Sequence, residues 1–318
     1  MTLDNIKEEI LNSQNIVILT HEVPDGDAIG SSLAMYMGLK QIGKDVDVVI
    51  PKYSKTYTFL PSANEIKTEG RMENYDLAIA LDCGDIKRLN GFANYFEYAN
   101  CKIQIDHHEA NTMFADYNFV NPTAPACCQI LITVLKTIGI EITQDIGTCL
   151  LTGIITDTGG FKYQNVKPET FEFAAELLSR GVNVSEIYKK TLQTVSKEKF
   201  ELRKIAMNRI ELLENGKIAF TYITKKDEEQ VGAKNGDYDG IVENGREVEG
   251  VEVSVFLRET DVNTYKISLR SNDYVNVSDI CLMFGGGGHV RAAGGTITGL
   301  PFEKAKEKII NECKKYIK

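Results

Sequence analysis

The sequence predicts an α/β fold: a doubly wound parallel sheet domain joined by a helical connector to a smaller α+β domain. Over the first half of the chain, short apolar segments typical of strands buried in a parallel sheet alternate with segments of helical length. A charged, helix-favouring stretch follows, and beyond it several strand-like segments precede one last helix. At 318 residues, two domains are also the default expectation.

In the first half, four apolar segments predict the strands of the parallel sheet, at 15–20, 46–50, 75–82 and 102–106. The segments between and after them predict helices, at about 26–43, 127–139, 146–156 and 168–181. Pro168 suits the first turn of the last helix, and Gly181 suits the position just past its end. These elements are expected to form the first domain, residues 1–184.

The predicted helical connector, residues 185–214, has few helix breakers and no heptad long enough to favour a coiled coil. The second predicted domain covers residues 215–318. After Asn215–Gly216 its sequence predicts strands and then a final helix from about Phe302, with the strands at 217–224, 251–259, 264–271 and 296–299.

The composition is that of an ordinary globular protein, with 43% hydrophobic and 25% charged residues and a net charge of −9. The acidic balance argues against binding to a long nucleic-acid duplex, because such binding needs a basic surface. No apolar segment reaches the roughly 20 residues of a membrane helix, and the acidic start MTLDNIKEEI is unlike a signal peptide. Seven cysteines without a CxxC pattern predict reduced thiols in the cytoplasm.

All four histidines lie in short polar clusters that also contain aspartate or glycine. His107 and His108 are adjacent in IDHHEAN, His21 lies in THEVPDGDAIGSS, and His289 lies in FGGGGHVRAAGG. One histidine alone would most often be a structural core residue. Because all four share the pattern, the histidines indicate chemistry.

Acids and histidines follow three predicted strands and one apolar helical segment, so they should meet at the carboxyl edge of the sheet. The candidate metal ligands are His21, Asp25, Asp27, Asp82, His107 and Asp157. Each aspartate alone could be a turn or cap residue. Together, their four carboxylates match the charge of two divalent cations, and oxygen and imidazole ligands without thiolate favour manganese, with magnesium, cobalt and iron as alternatives. Two such ions can activate water and clamp a phosphoryl group, which predicts a metallophosphohydrolase.

The glycine cluster of the second domain predicts an anion site. Gly285–Gly288 remove successive side chains, so backbone amides could approach an anion closely. A flexible loop is the alternative interpretation. His289, Arg291 and Gly294–Gly295 nearby favour anion binding, although the role of Arg291 stays open. No strand–GxGxxG–helix unit surrounds the cluster, so it is not a dinucleotide fingerprint.

The motifs HEVPDGDAIGSS, LDCGD, IDHH, GIITDTGGF and GGGGHVRAAGG, in this order, resemble those of the DHH phosphoesterases that carry a DHH-associated C-terminal domain. The resemblance runs from about residue 15 to 300. Within the family, the chain is similar to a stand-alone bacterial branch described as bifunctional nano-RNase and 3′-phosphoadenosine-5′-phosphate phosphatase. Phosphodiesterases for cyclic di-AMP and its linear product carry similar motifs.

The resemblance implies roles for the candidate residues. His21, Asp25 and Asp82 would surround one manganese ion. Asp82 would bridge to a second ion, whose ligands would be Asp27, Asp82, His107 and Asp157. His108 would face the scissile phosphate, with Asp106 orienting the histidine pair. Substrate would also contact a set of residues in the second domain, namely Arg258, Arg270, Gly286, Gly287, Gly288 and His289.

We therefore expect a cytoplasmic, manganese-dependent phosphoesterase that hydrolyses dinucleotides, 3′-phosphoadenosine 5′-phosphate or both. The alternative substrates are cyclic and linear di-AMP. A non-catalytic nucleotide sensor is a weaker alternative because no metal ligand is missing, and an inorganic pyrophosphatase is weaker because GGGGH is present. A long-strand exonuclease shares both features but usually has additional nucleic-acid-binding domains, which are not expected at this length. The sequence predicts no membrane partner and leaves a homodimer open.

Overall fold

The structure, a computed structural model, describes residues 3–234 and 236–318, without the side chain of Asn90. Residues 1 and 2, the start of the first predicted domain, lie outside the described residues. The chain divides into two compact units, Met1–Thr194 and Val195–Lys318. This division falls inside the segment 185–214, for which a connector was predicted.

The first unit is built on a six-stranded sheet with the order β3-β2-β1-β4-β5-β6, in which every neighbouring pair is parallel. The parallel order confirms the predicted fold class. The elements are α1 (Leu3–Asn12), β1 (Asn15–Leu19), α2 (Gly26–Gln41), β2 (Asp45–Val49), β3 (Ile66–Lys67), β4 (Leu77–Leu81), α3 (Ala93–Glu97), β5 (Cys101–Asp106), β6 (Tyr117–Val120), α4 (Cys127–Ile138), α5 (Gln144–Asp157), α6 (Pro168–Ser179) and α7 (Val184–Tyr188).

Alternate residues of each central strand enter different cores, as expected for a sheet covered on both faces. In β1, Ile16 and Ile18 join a large core with α1, α2, α4 and α5. Val17 and Leu19 join a smaller core on the other face, which includes Phe96 of α3. This two-sided burial explains why the strands are apolar runs rather than alternating patterns.

The second unit carries a mixed sheet with the order β11-β12-β10-β9-β8-β7, in which only β8 and β9 are parallel among the described strands. One face packs on α11 and α12, and the other packs on α8 and α10. The elements are α8 (Lys197–Asn208), β7 (Glu211–Leu213), β8 (Ile218–Ile223), α9 (Lys225–Val231), α10 (Ile241–Arg246), β9 (Val253–Asp261), β10 (Thr264–Ser271), α11 (Val277–Leu282), β11 (Gly287–His289), β12 (Ala292–Thr298) and α12 (Phe302–Lys314).

The prediction of helix up to about residue 214 was wrong at its end. After α7 the chain forms a π-helical turn, Lys189–Gln193, and α8 then stops at Asn208. The next residues form β7, which pairs with β8 across a turn whose residues Glu214, Asn215 and Gly216 all have positive φ. Asn-Gly is a strong hairpin signal, and it outweighs the helix preference of the preceding residues.

Among the helices of residues 3–234 and 236–318, none combines the length and the apolar composition that crossing a bilayer requires.

Candidate active site

The six predicted metal ligands meet at the carboxyl edge of the parallel sheet. His21 follows β1, Asp82 follows β4, and His107 follows β5. Asp25 and Asp27 lie at the start of α2, whereas Asp157 is the last residue of α5. Their potential ligand atoms form overlapping groups, each within 4.8 Å, namely His21 with Asp25 and Asp82, Asp27 with His107 and Asp157, and Asp82 with His107 and His108.

Asp82 lies at the centre of the cluster. Its Oδ2 is 3.6 Å from Nε2 of His21, and its Oδ1 is 3.3 Å from Nε2 of His107. The side chain is buried, and the backbone has φ 52°, in the left-handed region that few non-glycine residues adopt. Such a conformation at a buried polar residue is typical of functional sites.

His107 is oriented by the backbone that precedes α4. Its Nδ1 lies 3.4 Å from the carbonyl oxygen of Ala124, on the side of the ring away from the carboxylates. Its Nε2 lies 3.3 Å from Oδ2 of Asp157 and 3.8 Å from Oδ2 of Asp27. A carbonyl at one ring nitrogen is the usual way in which a protein turns the other nitrogen toward a metal.

Two of the aspartates also serve as helix caps. Oδ1 of Asp25 accepts hydrogen bonds from the amides of Asp27 (3.0 Å) and Ala28 (3.1 Å), at the start of α2. Asp27 accepts from the amides of Cys127 (2.5 Å) and Cys128 (2.9 Å), at the start of α4. The capping interpretation and the ligand interpretation are therefore compatible, because capping fixes the carboxylates in the cluster.

Close contact between α2 and α5 depends on a glycine. A Cβ atom at Gly153 would overlap the Sγ of Cys128 and would lie 2.5 Å from Oδ1 of Asp27. Any larger residue at this point would push against a carboxylate of the cluster. Because Gly153 has no side chain, it leaves room for the carboxylate of Asp27.

The electrostatics of the cluster fit a bound cation. Burial, followed by repulsion from Asp27, Asp25 and Asp82, raises the pKa of Asp157 to about 10. Burial and the charge of Asp82 raise the pKa of Asp27 to about 7. Asp157 also ends a helix, where the partial negative charge of the carbonyls opposes an acid.

Buried polar atoms without hydrogen-bond partners also favour a bound cation. Nδ1 of His21 and Oδ1 of Asp82 are buried without a hydrogen bond of good geometry within the described part of the chain. Buried polar atoms normally have partners. The raised pKa values of Asp27 and Asp157, beside buried polar atoms that lack hydrogen-bond partners, fit one or more divalent cations, since a cation would neutralise the repulsion between the carboxylates.

His108 lies at the edge of this cluster, with its Nδ1 3.7 Å from Oδ1 of Asp82. Its Nδ1 is 2.7 Å from Oδ1 of Asp106, which is buried and also accepts a 2.5 Å hydrogen bond from Nδ2 of Asn111. The hydrogen bond to Asp106 raises the pKa of His108. Because Asp106 occupies Nδ1, Nε2 is the nitrogen that His108 can present to a ligand.

The glycine cluster of the second unit forms a hairpin. Gly287 and Gly288 pair with Gly294 and Ala293 of β12, and His289 beside them is exposed. A Cβ at Gly286 would overlap the carbonyl oxygen of Gly294. The amides of Gly285 and Gly286 donate to Leu282 (3.2 Å) and Cys281 (3.0 Å), closing the end of α11. The glycines therefore allow close backbone packing here.

The predicted substrate arginines of the second unit have acidic neighbours. Nε of Arg270 donates to Oε1 of Glu243 at 3.0 Å. Arg258 lies 3.6 Å from Glu228, and its guanidinium stacks on the ring of Tyr238 at 3.8 Å. Arg291, whose role the sequence left open, donates to the carbonyls of Val275 and Asp273 and so holds the loop before α11.

Sequence reasoning missed two residues beside His108. Asn111 holds Asp106, and its signal was its place four residues after His107 in IDHHEAN. Arg88 places Nη1 3.4 Å from Nε2 of His108. An exposed arginine near a loop carries no distinctive sequence signal, so only the fold reveals this contact.

Comparisons with known proteins cover both units. Residues 15–154 match the DHH family, N-terminal domain, and residues 215–318 match the DHHA1 domain. A Thermus thermophilus protein named bifunctional oligoribonuclease and PAP phosphatase NrnA is 36% identical over 93% of this chain and 88% of its own length. The Mycoplasma genitalium protein of that name is 26% identical over 95% and 93%. The crystal structure of an exopolyphosphatase-related protein from Bacteroides fragilis has a TM-score of 0.87 at 28% identity, covering 99% of this chain and 96% of that one.

Proposed function

The chain belongs to the DHH family and is a phosphoesterase, and on that premise we propose that it hydrolyses very short oligoribonucleotides and 3′-phosphoadenosine 5′-phosphate. The observation that carries the proposal is the meeting of Asp82 with three further aspartates and two histidines, beside the Asp106–His108 pair. The names of the Thermus and Mycoplasma relatives support these two substrate classes. They do not favour cyclic di-AMP.

The six clustered residues would hold two divalent cations, with Asp82 shared between them. When bound there, the cations would supply a water of lowered pKa and would neutralise charge on the phosphoryl group. Manganese is the ion that the oxygen and imidazole donors favour. Cys127 and Cys128 present their backbone amides to Asp27, and neither thiol belongs to the groups of potential ligands found among the described residues.

His108 would act on the substrate itself. Asp106 fixes Nδ1, so Nε2 can donate a hydrogen bond to a phosphoryl oxygen or give a proton to the leaving oxygen. In the second unit, Arg258, Arg270, His289 and the Gly286–Gly288 hairpin would contact the rest of the substrate. For Arg270 to bind a phosphate, its ion pair with Glu243 would have to break.

The net charge of −9 supports short substrates. A long strand would gain little from an acidic protein and would be repelled by it. A dinucleotide needs only a few local contacts. The free thiols of all seven cysteines support a reducing compartment, and we retain the cytoplasm as the proposed location.

The test is a product assay with manganese on 3′-phosphoadenosine 5′-phosphate, linear and cyclic di-AMP, pyrophosphate, and single-stranded RNA of about two, five and twenty nucleotides at fixed salt. We expect kcat/KM to be highest for the dinucleotide and lowest for the long strand. Fastest cleavage of the long strand would refute the short-substrate proposal. Full turnover after exhaustive chelation would refute the metal proposal.

A further inference from the structure

Arg88 has a fixed backbone position at the edge of the cluster. It lies in the 3-10 segment Ile86–Phe92, which follows Asp82. Its amide donates to the carbonyl of Asp85 at 2.9 Å, and its carbonyl accepts from the amide of Glu22 at 2.9 Å. The next residue, Leu89, is buried. The start of the side chain is therefore tied both to the Asp82 loop and to the His21 loop.

The guanidinium of Arg88 is exposed, and its Nη1 lies 3.4 Å from Nε2 of His108. Arg258 and Arg270, described above, each have an acid as their partner. Within residues 3–234 and 236–318, by contrast, no acid pairs with Arg88 at ion-pair distance, and His108 is the side chain it meets. The guanidinium and the ring nitrogen that His108 can present to a ligand therefore face the same space.

An ordinary surface arginine would extend into solvent or pair with a neighbouring acid. Arg88 instead lies beside the nitrogen of His108 that Asp106 leaves available, and while Nη1 contacts that nitrogen, the other N–H groups of the guanidinium can still bind a further acceptor. The planar fork of a guanidinium matches two oxygens of a phosphate. The acceptor that fits this pair is an anionic phosphoryl group.

We propose that Arg88 is a substrate-binding residue: its guanidinium and Nε2 of His108 together hold the non-bridging oxygens of the phosphoryl group that is cleaved. This inference rests on the proposed function. Negative charge on those oxygens grows as the phosphoester is attacked, so two fixed donors there stabilise the transition state more than the bound substrate.

The experiment compares Arg88→Ala and Arg88→Lys with Lys87→Ala, a neighbouring exposed side chain that carries the same charge. With the manganese-loaded enzyme and a dinucleotide, Arg88→Ala should lose about 100-fold in kcat/KM, mostly in kcat. Arg88→Lys should recover part of this, and Lys87→Ala should match the wild type. Metal content and melting temperature should be unchanged in all three variants. Added guanidinium ion should partly restore Arg88→Ala.

A double-mutant cycle tests whether the two residues act on one group. Arg88→Ala combined with His108→Ala should lose less than the product of the two single losses, because both residues serve the same oxygens. Independent losses, a loss of bound metal, or an Arg88→Ala enzyme as active as Lys87→Ala would overturn the inference. If the wild-type protein cleaves none of the nucleotide substrates, the proposed function itself fails, and the two failures are thereby distinguished.

Discussion

The two units differ in how their charged side chains are held in place. In the first, Asp27 and Asp82 are buried, and Asp27 is fixed by the backbone amides at the start of α4 and by its close contact with Gly153. In the second, His289 is exposed, and Arg270 is held by an acid that a substrate would have to replace. The difference suggests that the chemistry is preorganised in the first unit, whereas recognition in the second depends on exchanging partners.

This comparison predicts which kinetic constant each unit controls. Changes in the first unit should lower kcat, since they remove groups that act on the reacting phosphate. Changes in the second should raise KM, since they remove contacts made equally in the substrate and in the transition state.

Asp82→Asn should have the largest effect. Asp82 contacts both His21 and His107, so loss of its charge disturbs both halves of the cluster. Asparagine tolerates the left-handed backbone, so the fold should survive. We expect kcat to fall by several powers of ten, with less metal bound per chain. Turnover assays and elemental analysis measure both, with Asp116→Asn, an exposed aspartate elsewhere in the unit, as the control. Near-normal turnover would exclude Asp82 from the centre of the site.

His108→Ala should lower kcat by about 100- to 1,000-fold, because it removes a donor aimed at the phosphoryl oxygens. Metal content should stay at the wild-type level, since Nδ1 of His108 lies 2.7 Å from Oδ1 of Asp106 and we assign the other ring nitrogen to the substrate. His107→Ala is the matched comparison and should lose metal. If instead His108→Ala loses metal while His107→Ala keeps it, the two histidines have the opposite roles.

Arg270→Ala should raise KM for a dinucleotide by about 10- to 100-fold, the range for losing a charged hydrogen bond, with kcat little changed. Glu243→Gln provides the opposite test, because it weakens the ion pair that substrate must displace. That variant should leave KM equal or slightly lower. If Arg270→Ala lowered kcat and left KM unchanged, the expectation that changes in the second unit act on KM would be wrong.

The smallest effect concerns stability and pH. In the metal-free protein, burial and neighbouring charges raise the pKa of Asp27 and Asp157, and the contacts of His107 with Asp82 outweigh burial and raise its pKa to about 10. The folded chain therefore binds more protons than the unfolded chain above about pH 4, and its stability should fall as pH rises.

With a chelator present, the melting temperature should fall by a few degrees between about pH 6 and pH 9. With manganese present, cation binding should displace the protons, and this fall should disappear. Differential scanning calorimetry measures both series, and Asp157→Asn should weaken the chelator-dependent trend. Identical profiles with and without manganese would argue against cation binding at these acids.

The sequence was most informative where a simple geometric rule applies. Carboxyl ends of parallel strands share one edge, so His21, Asp82 and His107 could be placed together from their strand positions alone. The central strands were also found, because burial on both faces leaves uninterrupted apolar runs. The roles of His21, Asp82 and His107 as metal ligands remain predictions.

Other features depend on contacts that no local pattern encodes. Arg88 reaches His108 only because the 3-10 segment after β4 turns back toward β5. The glycine hairpin is set by the packing of β11 on β12, whereas GGGG by itself suits a loop equally well. Strand β6 was missed because its residues are all half-buried, so the segment lacks a strong apolar signal.

The ligand cluster gathers segments that are far apart along the chain, from His21 to Asp157. A cation bound there would act as a cross-link, since it would close long loops that the unfolded chain leaves open. Such a link lowers the rate at which the joined strands separate. Metal loading should therefore slow amide exchange at the ends of β1, β4 and β5. A bound cation would then slow local unfolding of the first unit in addition to its proposed role in hydrolysis.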